Sequence, residues 1–173
     1  MMPSGLRKLT LTAHVTTSVG WLGAVAAFLL LAVAGLASRD AQLVRAAYLT
    51  MDLLGWFLIM PFCLASLLTG VLQAVGTRWG LFQHYWVLIK LLMTALATLV
   101  LLLHMEPISS LSRLARETQF VRLDFHALRI QLAVDAGAAL LVLLVATAMS
   151  VYKPRGLTGY GRGQGRATAL QSN

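Results

Sequence analysis

Charge is scarce in this chain, and acidic charge is scarcest. Of its 173 residues, 12% are charged and six are Asp or Glu. A soluble domain carries about a quarter charged residues, so this composition excludes an ordinary water-facing surface. A single cysteine, Cys63, excludes an internal disulfide and makes no thiolate metal cluster. Only four prolines are present, and two of them, Pro61 and Pro107, sit in or just beyond apolar runs. No phosphate loop, zinc motif or ordered Ser–His–Asp set can be read from the chain, so no residue is assigned to catalysis. There is no stretch able to form a separate soluble domain, and no internal repeat.

What fills the chain instead is apolar sequence: 58% of residues are hydrophobic and the mean hydropathy is +0.77. The excess lies in four runs, about 9–37, 48–75, 84–105 and 127–151. Each exceeds the ~20 residues that cross the hydrocarbon core of a bilayer as a helix. The sequence therefore predicts an all-α, polytopic membrane four-helix bundle with both termini on one side. Arg7 and Lys8 precede the first run as they would in a signal peptide. That run is too long for a signal h-region and shows no cleavage site, so it reads as a retained span. The net charge of +8 flanks the spans, which is the pattern that orients membrane proteins; a nucleic-acid partner is set aside.

Arg7, Lys8, Arg78, Lys153, Arg155, Arg162 and Arg166 fall on the side of the termini. Arg39, Arg45, Arg113, Arg116, Arg122 and Arg129 fall on the other, together with Asp40, Glu106, Glu117 and Asp124. Positive-inside asymmetry then favours cytoplasmic termini in a multi-pass membrane protein. Residues 1–8 read as an N-terminal tail. The connectors 38–47 and 76–83 are short, which makes consecutive spans antiparallel neighbours. Pro107 is expected to break the third span just after His104. Leu111, Leu114 and Ala115 then alternate with Arg113, Arg116 and Glu117, so 106–126 is either an amphipathic helix on the outer interface or a solvated connector. Residues 153–173 hold Pro154, five glycines and three arginines, and read as a disordered basic tail able to touch anionic lipid heads.

Polar residues inside the spans carry the functional information. Lys90 stands alone in an apolar run, where a lysine costs at least ~2.5 kcal/mol on the insertion scale. Its long stem allows it to snorkel to the interface; otherwise it serves as an iron ligand, an anion partner or a proton relay. His14, Trp21 and Phe28 recur every seven residues on one face of the first span. A neutral histidine there either bonds to a neighbouring helix or ligates a soft metal or haem iron. Gly20 and Gly23 allow a helix or a flat ligand to approach closely. Counted from the span starts, His14 and Lys90 lie ~8–9 Å below the same surface, and parallel spans 1 and 3 can bring them together.

A second set lies toward the far side. His104, His126, Asp52 and Asp135 are candidates for a metal or proton site, with simple polar pairing as the alternative. His84 and His104 are 20 residues apart, ~30 Å along a helix, and cannot share a metal. Pro61 is expected to distort the second span and free a carbonyl, while Thr69 either bonds back to its helix or lines a cavity. Met51, Met60 and Met93 are scattered and read as packing residues.

His14 followed by Trp21 and Gly23, the Thr69–Gly70 pair, and Trp86, Lys90, Leu91, Leu92 with His104 beyond resemble a group of small bacterial integral membrane proteins. It comprises the HemJ-type protoporphyrinogen oxidases, the CopD-like copper-resistance domains and relatives of unassigned function. The likeness covers about half the chain, and Gly23–Ala24 stands where the group has a glycine pair. It implies haem b held near His14 and Lys90, with Trp21 and Phe28 along the porphyrin, for membrane redox or electron transfer. A non-enzymatic subunit or scaffold of a larger membrane complex, and a copper or small-molecule permease component acting as a homodimer, remain the alternatives.

Overall fold

The computed structural model describes residues 2–76, 84–115, 126–152 and 156. Every regular element among them is helical: α1 (Ser4–Ala37), α2 (Ala41–Leu54), a π-helical turn (Gly55–Ile59), α3 (Met60–Gly76), α4 (Tyr85–Ala115) and α5 (His126–Tyr152). α2, the π turn and α3 run on as one span, so four helical spans result, each long and apolar enough to cross a membrane. Their outward faces are apolar: Leu30, Phe57, Leu92 and Val151 are each about 70% exposed, which water would penalise and lipid does not. The chain is an integral, multi-pass membrane protein.

Consecutive spans run antiparallel. α1 packs against α2, α3 and α5, and α4 packs against the same three elements. Spans 1 and 3 therefore face each other across the diagonal of the bundle. The Met2 amide bonds to the Gly76 carbonyl, and the Tyr85 amide to the Gly156 carbonyl. These bonds gather both ends of the described chain at one end of the bundle, called here the terminal end. The opposite half is filled. Tyr48, Met51 and Leu111 are its largest fully buried apolar side chains, and Phe28, Ala32, Met105, Ile108 and Leu132 share their cluster.

Three boundaries differ from the sequence reading, each for a local reason. α1 starts at Ser4, behind Pro3 as N-cap, so most of the expected tail 1–8 is helix. Proline's fixed φ suits a helix start. α2 starts at Ala41 rather than near 48, because the Asp40 side chain accepts the Gln42 amide at 2.9 Å and caps it. The connector shrinks to 38–40. α4 runs through Pro107 to Ala115 without a break. Pro107 removes one amide donor, but Met105, Ile108, Leu111 and Ser112 are buried beside it, and that packing holds the helix. The amphipathic stretch at 111–115 is thus the end of a packed span, not a separate helix on the interface. The remainder of that connector and the tail, apart from Gly156, lie outside the described residues.

Pro61 acts as expected but acts upstream. It has no amide for the Phe57 carbonyl, and the helix absorbs the mismatch as a π turn in which the Met60 amide bonds to the Gly55 carbonyl.

Candidate functional site

At the terminal end the bundle diagonal is open. A cavity of about 410 Å³ lies between α1, α3, α4 and α5, within the range of small-molecule sites. His14, Trp21, Trp86 and Lys90 line it, with Ser18, Ser66, Gln73, Thr94, Thr147 and Ser150 supplying hydroxyl and amide groups. The two residues singled out by rarity thus face one space from diagonal spans. α1 begins at Ser4 and α4 at Tyr85, so a count from the helix starts does not put the two at one depth; the shared cavity is what brings them together.

His14 is held by α3. Its Nδ1 lies 3.1 Å from the Ser66 carbonyl oxygen and 3.1 Å from Thr69 Oγ1. A Cβ placed on Gly70 would stand 3.1 Å from the imidazole Cε1, so the ring packs against bare backbone there. The Thr69 hydroxyl bonds back to the Ala65 carbonyl at 2.6 Å. It does not line the cavity; it touches the histidine that does. Ser18 and Ser66 are hydrogen-bonded across α1 and α3 at 2.7 Å.

Lys90 is held by α5 and by its own helix. Its ammonium donates to Ser150 Oγ at 3.0 Å and sits 5.7 Å from the centre of the Trp86 ring. The Ser150 hydroxyl in turn donates a hydrogen bond to the Ala146 carbonyl at 2.9 Å. A hydroxyl oxygen and an indole face are partners for a cation, and both keep the charge beside the cavity.

Several sequence expectations separate here. Trp21 is buried and lines the cavity. Phe28 does not: it lies about 21 Å from His14 along the axis and packs in the filled half. A seven-residue repeat fixes a face, not a depth. Gly20 is a close-approach position, since a Cβ there would meet the Phe62 ring at 2.8 Å. Gly23 has nothing within 4 Å of such a Cβ and is exposed. Trp86 is a wall residue that sequence reading left out of the site, although its position four residues before Lys90 was the available signal. Ser150 gave no signal, because nothing in one helix says which hydroxyl of another will meet it.

The far-side set does not converge. His104 Nε2 lies 2.9 Å from Asp135 Oδ2, an ion-pair distance without hydrogen-bond alignment. Its Nδ1 donates to the Val100 carbonyl at 2.8 Å, and Gln131 Nε2 lies 3.2 Å from its Nε2. Asp52 instead accepts the Ser109 hydroxyl at 2.9 Å, and Trp56 Nε1 donates to that same hydroxyl. Among the described residues no three His, Cys, Asp or Glu side chains are placed to hold a metal ion. Of the candidate set His104, His126, Asp52 and Asp135, the structure brings His104 to Asp135 and gives Asp52 to Ser109.

No protein-family model, curated protein or solved structure matches the chain.

Proposed function

We propose that this chain binds haem b in the cavity at the terminal end and serves membrane redox or electron transfer, in a bacterial plasma membrane with cytoplasmic termini. One observation carries the reading: an imidazole and an ammonium, from diagonal spans, line the same intramembrane cavity between two indoles. The donor set fits the group. His14 offers an imidazole nitrogen suited to iron. Lys90 keeps the company of an ammonium, a hydroxyl and a ring face, which suits a propionate and not an iron ligand. Trp21 and Trp86 give apolar wall area against which a flat ring can pack.

Bound haem supplies one-electron chemistry. The protein's contribution is to hold His14 through Ser66 and Thr69 and to hold Lys90 through Ser150. A pyridine haemochromogen assay on detergent-purified protein from haem-replete cells tests the reading. Near-equimolar haem b is expected. Colourless protein overturns it and returns the chain to the class of structural membrane subunits.

A further inference from the structure

We infer that Thr69 is the positioning residue of His14: with the Ser66 carbonyl it commits the imidazole to the Nδ1–H tautomer, leaving Nε2 as the free electron pair at the cavity. The hydrogen-bond inventory leads there. A carbonyl oxygen only accepts, so the 3.1 Å contact to Ser66 requires a proton on Nδ1. The Thr69 hydroxyl has one proton, and at 2.6 Å from the Ala65 carbonyl that proton is already given. Its oxygen therefore also accepts from His14, at 3.1 Å. The opposite tautomer would set the Nδ1 lone pair against the Ser66 carbonyl and require Thr69 to abandon Ala65. Two acceptors on one helix, one turn apart, bracket a single donor, and bare Gly70 beside them leaves room for the ring.

No hydrogen bond to His14 Nε2 is made among the described residues, and the side chain lines the cavity. A ligating histidine usually has its other nitrogen fixed in this manner, and losing that partner typically weakens metal binding about 10–100-fold. The tautomer itself does not depend on the haem reading; the consequence for iron ligation does.

The test is ¹⁵N NMR of histidine-labelled protein without haem, with the His14 signals assigned by their loss in His14→Gln, followed by haem titration. Wild type is expected as the Nδ1–H tautomer. Thr69→Val is expected to show tautomer or ring exchange and about 10–100-fold weaker haem binding. Thr69→Ser restores both, since it keeps the hydroxyl. Gly70→Ala, whose added Cβ presses on Cε1, is expected to disturb the same signals and serves where Thr69→Val does not fold. A His14 protonated at Nε2 in the wild type, or unchanged tautomer and affinity in folded Thr69→Val, overturns the inference. The Nδ1–H tautomer lost in Thr69→Val, with no haem taken up by any protein, overturns the haem reading and leaves the positioning role standing.

Discussion

At the far end of the bundle, His104 faces Asp135, Asp52 accepts from Ser109, and Glu106 pairs with Arg113 at 2.8 Å. At the terminal end, His14 and Lys90 have only a backbone carbonyl and hydroxyls as hydrogen-bond partners, whereas two of the three far-end contacts join groups of opposite sign. The space between spans differs in step. Tyr48, Met51 and Leu111 fill the far half, whereas about 410 Å³ is open beside His14 and Lys90. Intramembrane polar residues are therefore not equivalent signs of function. Where they meet one another or a neighbouring hydroxyl, as at the far end, the structure accounts for them. Where an imidazole and an ammonium are each anchored from behind and left facing a cavity, packing leaves space beside them for a ligand.

That contrast makes separable predictions. Leu111→Ala, at a fully buried position in the filled half, is expected to destabilise the bundle by about 2–5 kcal/mol without changing haem stoichiometry. Thermal unfolding in detergent beside a haem assay checks both. A folded Leu111→Ala protein depleted of haem would erase the distinction between the halves. Lys90→Leu is expected to do the reverse. It removes a charge-assisted contact worth ~1.5–3 kcal/mol, so haem binding weakens by about ten- to a hundredfold while the apo protein stays as stable. Titration of both proteins with haem measures it, and equal affinities would remove Lys90 from the site.

Asp135→Asn is next. It weakens the contact with His104 and is expected to cost about 0.2–1 kcal/mol in stability, with haem retained. Loss of haem there would mean that the two ends are coupled. The smallest effect is expected at Gly23→Ala. Its Cβ meets nothing within 4 Å, so stability should stay within ~0.5 kcal/mol. Gly20→Ala, pressing on Phe62, should be clearly worse. Equal effects at the two glycines would contradict the packing of α1 on α3.

The four spans were legible because each is a continuous apolar run of more than ~20 residues, and a run of that length satisfies its backbone in hydrocarbon as a helix, not as the short alternating strands of a barrel. Their ends were less so. Asp40 adds several residues to α2 through one side-chain cap, and Pro107 fails to stop α4 because Ile108 and Leu111 are buried beyond it. The first is a local signal that hydropathy ignores; the second is tertiary and has no local trace. Rarity singled out His14 and Lys90, since a costly residue in a span needs a reason, and the structure puts both on one cavity. Depth was the missing coordinate for Phe28, which shares a face with His14 but not a level. Partners on other helices were the missing coordinate for Ser150, and for Asp52, which bonds to Ser109 instead of joining His104.

The most direct measurement is a pair of absorption spectra, oxidised and dithionite-reduced, of His14→Ala and His104→Ala beside the wild type. Both variants remove one histidine from a span, but from opposite ends of the bundle. The account predicts a Soret band with reduced α and β bands in the wild type and in His104→Ala, and their loss in His14→Ala. Haem bands that persist without His14, or that vanish without His104, would contradict it.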